Sequence, residues 1–108
     1  MSFNYIKDGI KMKKSVRKAV IAGNWKMNMT PSQAKETVAA TAKLVEGKDG
    51  CKIILCVPFV DIASAQEAAK GTNIKIGAEN VHFAKSGAYT GENSADMLNE
   101  CGAEYVVI

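Results

Sequence analysis

The sequence has 108 residues, of which 47% are hydrophobic and 23% charged, a balance typical of one small globular domain and not of a disordered chain. The formal net charge of +3 arises at the amino terminus, where residues 1–18 hold six basic residues against Asp8, while the remainder carries eight basic and ten acidic residues. This distribution argues against a nucleic-acid surface on the folded part, and no apolar run is long enough to span a membrane.

Residues 1–18 are a basic leader, which we expect to be disordered and separate from one folded domain over residues 19–108. The leader has no apolar centre of the kind found in secretory signals. A targeting arm or a nucleic-acid-binding arm is one interpretation. A flexible tail, or a start assigned upstream of Met12, is the simpler one.

Three cysteines, Cys51, Cys56 and Cys101, form no Cys-x-x-Cys pair and fit reduced thiols, so a cytoplasmic protein is expected. We interpret them as packing residues. His82 is the only histidine, and no Cys/His spacing fits a metal site.

Four short apolar runs predict four strands, and the segments between them predict three helices. The strands are expected at residues 19–23, 52–57, 74–78 and 104–108. The first, second and fourth runs are almost continuously apolar, as in strands covered on both faces. The helices are expected at residues 31–46, 61–70 and 94–99.

Each predicted helix has a recognisable start. Thr30 and Gln33 form a Thr-x-x-Gln capping box around Pro31, and Gly47 is expected to close that helix in a left-handed conformation. Asp61 and Ser94 are the expected caps of the second and third helices.

The order β-α-β-α-β-α-β, with strand starts 33, 22 and 30 residues apart, predicts right-handed crossovers and a parallel sheet. An open doubly wound sheet and a section of a barrel have the same pattern. No GxGxxG or GxxxxGK[ST] segment follows the first strand, which argues against a dinucleotide site and a P-loop.

A segment of specific sequence follows each of the first three apolar runs, and two more segments lie between the third run and the end of the chain. In order these segments are Ala22-Gly23-Asn24-Trp25-Lys26-Met27-Asn28, Val57-Pro58-Phe59, Gly77-Ala78-Glu79-Asn80-Val81-His82, Ser86-Gly87-Ala88-Tyr89-Thr90-Gly91-Glu92-Asn93-Ser94 and Cys101-Gly102-Ala103-Glu104-Tyr105-Val106-Val107-Ile108. Over residues 18–108 they closely resemble the triosephosphate isomerase family. GNWKMN alone is moderately specific, and its combination with AENVH and GAYTGE at these intervals argues against coincidence.

The resemblance implies the first half of a parallel (β/α)8 TIM barrel, from the first strand to the fourth. It also implies an enzyme of glycolysis and gluconeogenesis that interconverts dihydroxyacetone phosphate and glyceraldehyde 3-phosphate through an enediol(ate), without metal or organic cofactor. The expected partners are a small phosphorylated triose and a second copy of the enzyme in a homodimer.

Lys26 matches the active-site lysine of the family, and Asn24 matches a residue that contacts substrate and helps to hold that lysine. Without the resemblance, a lone lysine after a strand is more often a solvated surface residue, and Asn24 is more often a turn residue. Glu79 is an acid at a strand end and by position could serve as a base. The resemblance makes it a supporting residue that helps to fix Lys26.

His82 falls in the third loop, whereas the catalytic histidine of the family follows the fourth strand, so we do not assign His82 as the electrophile. That histidine and the glutamate base are expected beyond residue 108. Tyr89 and Thr90 are expected at the homodimer interface. Residues 1–108 alone are therefore expected to be an inactive fragment of the enzyme. The alternative interpretation is a non-catalytic phosphate-binding half-barrel or complementation module.

Overall fold

A computed structural model describes residues 17–108, so residues 1–16 of the predicted leader lie outside the described residues. Residues 17–108 form four strands, three helices and one 3-10 turn, the turn being Phe59–Asp61. The strands are β1 Ala19–Asn24, β2 Cys51–Val57, β3 Ile74–Ala78 and β4 Tyr105–Val106. The helices are α1 Pro31–Leu44, α2 Ile62–Ala69 and α3 Ala95–Glu100.

All strand pairs are parallel, and the strand order is β1-β2-β3-β4. Each strand therefore lies beside the previous one, as in a barrel, whereas a doubly wound sheet reverses direction at a switch point. Of the two architectures that the sequence pattern left open, this strand order favours the section of a barrel.

The register brings the carboxyl ends of the strands to one edge. Asn24 is paired with Cys56, Cys56 with Gly77, and Gly77 with Tyr105. A Cβ added to Gly77 would lie 2.9 Å from the Cys56 sulfur and 3.1 Å from the Tyr105 carbonyl oxygen, so the strands approach closely here. The segments that leave the strands consequently meet at this edge.

The predicted start of α1 is confirmed. The Gln33 N–H donates to Thr30 Oγ1 at 3.4 Å, and the Thr30 N–H donates to Gln33 Oε1 at 2.9 Å, which completes the capping box. The helix ends at Leu44, two residues earlier than expected, and Gly47 adopts a φ of +78° in the turn that follows. Ser94 caps α3 as predicted, accepting from the Met97 N–H at 3.2 Å.

The prediction that the Asp61 side chain caps the second helix is wrong. Asp61 occupies the N-cap position of α2, but its side chain makes no capping hydrogen bond. The reason is conformational: the preceding 3-10 turn leaves Asp61 at φ −99° and ψ −8°, a helical geometry, whereas a capping side chain needs an extended backbone. The Asp61 carboxyl is directed into the protein instead.

The core lies between the sheet and the helices α1 and α2. Its largest fully buried apolar side chains are Val38, Val57, Ile62 and Ile76. α1 packs mainly against α2. β1 is an edge strand of the described sheet, with only β2 beside it.

The expectation that both faces of the first strand are covered is wrong for β1 within the described residues. Val20 and Ile21 are 53% and 59% exposed, and among residues 17–108 only β2 pairs with β1, which leaves the outer edge of β1 open. Among these residues no helix combines the length and apolarity needed to cross a bilayer.

Candidate active site at the strand ends

Lys26 leaves β1 in an uncommon backbone conformation. Its φ is +59°, in the left-handed region, where a residue other than glycine is disfavoured by about 1–2 kcal/mol. Two asparagines hold this turn: Asn24 Oδ1 accepts from the Lys26 N–H at 3.0 Å, and Asn28 Nδ2 donates to the Trp25 carbonyl oxygen at 2.6 Å. Backbone strain of this kind is often found at functional sites.

An open cleft of about 230 Å³ lies at the carboxyl ends of the strands. Two of the predicted site residues, Lys26 after β1 and Glu79 after β3, line it together. Asn24 is not in its lining, and instead holds the Lys26 backbone. The other lining residues are Met27, Pro58, Phe59, Ala78, Asn80, Asn93 and Leu98.

Glu79 is close enough to Lys26 for the two to interact electrostatically. Burial raises the pKa of the Glu79 carboxyl, the backbone N–H and the charge of Lys26 lower it in part, and the charge of Asp61 raises it. Glu79 Oε2 is buried and has no hydrogen-bond partner among the described residues. The cleft thus places a cation beside a half-buried acid, and the role of Glu79 in fixing Lys26 stays a prediction.

Two further polar groups near the cleft were not identified from the sequence as site residues. Asp61 is fully buried, neither of its carboxyl oxygens has a partner in the described part, and burial raises its pKa. Burial, and then the charge of Glu79, raise the pKa of the Cys56 thiol, which argues against a thiolate nucleophile. The sequence signal for Asp61 is an acid inside the apolar run Phe59-Val60-Asp61-Ile62, a position that a helix cap also explains.

His82 lies outside the cleft that Lys26 lines. The backbone N–H of His82 donates to the Asn93 carbonyl oxygen at 2.9 Å. The centroid of the His82 ring lies 4.2 Å from the Tyr89 ring centroid and 4.6 Å from the Phe83 ring centroid. His82 is therefore part of the internal packing of the third loop, residues 81–94.

The third loop is closed at its base and exposes two aromatic side chains. Asn80 Nδ2 donates to Glu92 Oε1 at 3.2 Å, while Phe83 and Tyr89 are 89% and 46% exposed. Thr90, the second predicted interface residue, is also exposed. Within residues 17–108 no three side chains of His, Cys, Asp or Glu are grouped closely enough to hold a metal ion.

Comparison with known proteins gives one consistent family. The family model described as triosephosphate isomerase matches residues 19–108. Triosephosphate isomerase of Solibacter usitatus is 49% identical over 96 residues, which cover 86% of this chain and 37% of that protein. The enzyme of Clostridium botulinum strain Loch Maree is 48% identical over 93 residues, with the same coverage of each chain.

A solved structure agrees with these matches. The crystal structure of triosephosphate isomerase from Bartonella henselae superposes with a TM-score of 0.75 at 39% identity, over 85% of this chain and 38% of that one. The chain thus spans a little over a third of the length of its relatives. The likeness confirms the predicted fold class, the amino-terminal part of a parallel (β/α)8 barrel.

Proposed function

The chain belongs to the triosephosphate isomerase family, and from this premise we propose that it forms the amino-terminal part of an enzyme interconverting dihydroxyacetone phosphate and glyceraldehyde 3-phosphate. One observation carries the proposal: Lys26 is held at the carboxyl end of β1 by Asn24, in a strained conformation, beside Glu79. Active sites of barrel enzymes are built at this end of the strands.

The proposed role of Lys26 is electrostatic. The substrate carries a phosphate dianion, and enolisation places further negative charge on its carbonyl oxygen. An ammonium about 4 Å from one unit charge contributes roughly 4 kcal/mol at an effective dielectric of 20. Because Asn24 fixes the backbone from which Lys26 projects, little reorganisation is needed as this charge develops. The acid–base chemistry itself is well established for the triosephosphate isomerases and is carried over from the family.

We further propose a cytoplasmic enzyme of glycolysis and gluconeogenesis that needs no metal or organic cofactor. Its proton-transferring histidine and glutamate are expected outside residues 19–108. Barrel enzymes draw catalytic residues from several strands, so β1 to β4 supply one part of the site.

We propose that the complete enzyme is a homodimer in which the third loop of one copy inserts into the other. The exposed aromatic side chains of Phe83 and Tyr89 support this arrangement, since aromatic residues are enriched at protein interfaces. The hydrogen bonds that close the loop at its base would present these side chains, with Thr90, as a preformed projection.

The test is a chimera in which residues 19–108 replace the matching amino-terminal segment of the Solibacter usitatus relative. We expect it to isomerise glyceraldehyde 3-phosphate with a kcat/KM within about tenfold of the parent, a loss of no more than about 1.4 kcal/mol. The controls are the parent enzyme and a version of it in which its own amino-terminal segment is rejoined through the same junction.

A chimera that folds, as judged by circular dichroism and its oligomeric state, yet gives no turnover would contradict the proposal. An inactive chimera together with binding of inorganic phosphate to the 108-residue chain by itself would instead favour the alternative, a phosphate-binding half-barrel. Loss of that binding on replacing Lys26 would place the phosphate in the cleft.

A further inference from the structure

Asparagine side chains bind both polar atoms of the peptide unit that joins Trp25 to Lys26. Asn28 Nδ2 donates to the Trp25 carbonyl oxygen at 2.6 Å. On the other side of the unit, Asn24 Oδ1 accepts from the Lys26 N–H at 3.0 Å. The unit is trans and planar, so its carbonyl and its N–H point in opposite directions. Bonds on both sides therefore restrict rotation of the whole plane, and this rotation sets ψ of Trp25 and φ of Lys26.

Trp25 ties this peptide unit to the sheet. Its N–H donates to the Cys56 carbonyl oxygen of β2 at 3.0 Å, and its side chain packs against the hydrophobic core. The fold thus fixes the position of Trp25, and the two asparagine bonds fix the tilt of the plane that follows it. Because the Lys26 side chain projects from the end of this plane, the tilt decides where the ammonium lies relative to the cleft that Lys26 lines.

Asn28 lies inside a strained segment. Lys26 and Met29 have φ angles of +59° and +83°, and within residues 17–108 they are the non-glycine residues with positive φ. Such angles are disfavoured for L residues and persist only where the surroundings hold them. If the bond from Asn28 were lost, the plane could rotate towards a commoner conformation, and the lysine side chain would change direction.

The bond made by Asn28 is not needed to start the helix that follows. α1 begins at Pro31 and has its own cap, in which Thr30 and Gln33 bind each other's backbone N–H groups. The Asn28 amide is directed back along the chain instead, to a carbonyl three residues earlier. Its bond therefore acts on the turn that carries Lys26 and not on α1.

We propose that Asn28 is a positioning residue for Lys26: its side-chain amide holds the Trp25–Lys26 peptide unit in the orientation that directs the ammonium into the cleft. The proposal rests on the proposed function, in which this ammonium stabilises the negative charge that develops on the substrate. A charge that is already in place stabilises it best, because no reorganisation is needed as the negative charge grows. Asn28 acts only through Lys26, and not by contact with the substrate.

This role requires a hydrogen-bond donor at position 28. The Trp25 carbonyl oxygen can only accept, and the asparagine Nδ2 supplies the donor. Asn28→Asp keeps the shape of the side chain but replaces the donor by an acceptor, so that two oxygens face each other. Asn28→Ala removes the group altogether. Because Asn28 is exposed, both variants are expected to fold.

The test is a double-mutant cycle in the chimera that carries residues 19–108. We expect Asn28→Ala and Asn28→Asp each to lower kcat about tenfold, as for a small misplacement of a catalytic group. In Asn28→Ala, KM should change by less than about twofold, since a loosely held ammonium still attracts the anionic substrate. In a Lys26→Ala background, the further loss caused by Asn28→Ala should be within about twofold, because no ammonium remains to be positioned.

Asn73→Ala is the matched control. Asn73 Nδ2 also donates to backbone carbonyl oxygens, those of Val45 at 2.8 Å and Lys48 at 3.0 Å. However, Asn73 precedes β3 and lies at the opposite end of the sheet from Lys26. Its replacement should lower the urea midpoint and leave kcat within about twofold. An equal loss of kcat in Asn73→Ala, or an Asn28→Ala loss that is the same with and without Lys26, would overturn the proposal, because the effect would then be one of general stability.

A second measurement requires no turnover. The Lys26 amide donates to Asn24 Oδ1, so its hydrogen exchange reports how often the peptide unit rotates away. In the same chimera we expect this exchange to be about tenfold faster in Asn28→Ala and unchanged in Asn73→Ala. Faster exchange in a chimera without turnover would support the hold of Asn28 on the peptide unit and contradict only the proposed function. Unchanged exchange in Asn28→Ala would overturn the positioning role.

Discussion

Replacing Lys26 by alanine in the active chimera should lower kcat/KM for glyceraldehyde 3-phosphate about a thousandfold. The ammonium interaction of roughly 4 kcal/mol with a developing charge corresponds to nearly three factors of ten in rate. The loss should appear in kcat as well as in KM, because the negative charge on the carbonyl oxygen grows in the transition state.

The matched control is Lys43→Ala. Lys43 is an exposed lysine in the last turn of α1, at the opposite end of the strands from the cleft, and its removal should leave kcat/KM within about twofold, as for most surface changes. A Lys26→Ala chimera that retains turnover within about tenfold of its parent would remove Lys26 from the catalytic site.

Lys26→Gly separates the charge from the backbone strain. Glycine adopts a φ of +59° without steric cost, whereas alanine does not. Lys26→Gly should therefore lose as much activity as Lys26→Ala but unfold at a higher urea concentration than Lys26→Ala does. This result would show that the strained turn held by Asn24 and Asn28 positions the ammonium at a cost in stability.

The 108-residue chain, prepared by itself, should self-associate. β1 presents an unpaired edge and exposes Val20 and Ile21, and open apolar strand edges pair with other chains. We expect light scattering to give a mass of a dimer or larger at micromolar concentration. Ile21→Lys should shift the distribution towards monomer, because a lysine on an edge strand opposes pairing.

Leu44→Lys is the control for this change. Leu44 is 76% exposed but ends α1, so a lysine there adds the same charge away from the strand edge and should leave the mass unchanged. A compact, stable monomer of the unsubstituted chain would contradict the expectation that the open edge of β1 drives self-association.

Local sequence patterns predicted those parts of the fold that local interactions determine. The Thr30–Gln33 capping box and the Ser94 cap depend on residues three apart in the chain, and both form as expected. The strand positions followed from apolar runs in the same way. The exposure of β1 was not predictable, because coverage of a strand depends on which distant elements pack on it.

The site was predicted to a similar extent. The motif around Lys26 pointed to the cleft that the lysine lines with Glu79, and the hydrogen bond from the Lys26 N–H to Asn24 fits a holding role for that residue. The positive φ of Lys26 was not predicted, since left-handed backbone is normally assigned to glycine or asparagine. The burial of Asp61 was missed because its capping role depends on backbone angles that the sequence does not specify.

The isomerase turnover of the purified 108-residue chain by itself tests most directly whether residues 19–108 hold only part of the catalytic site. We expect no turnover, because Lys26 can stabilise a developing negative charge but the family resemblance puts the proton-transferring histidine and glutamate outside these residues. Detectable turnover that disappears on Lys26→Ala would contradict this, since it would mean that residues 1–108 already contain a working base.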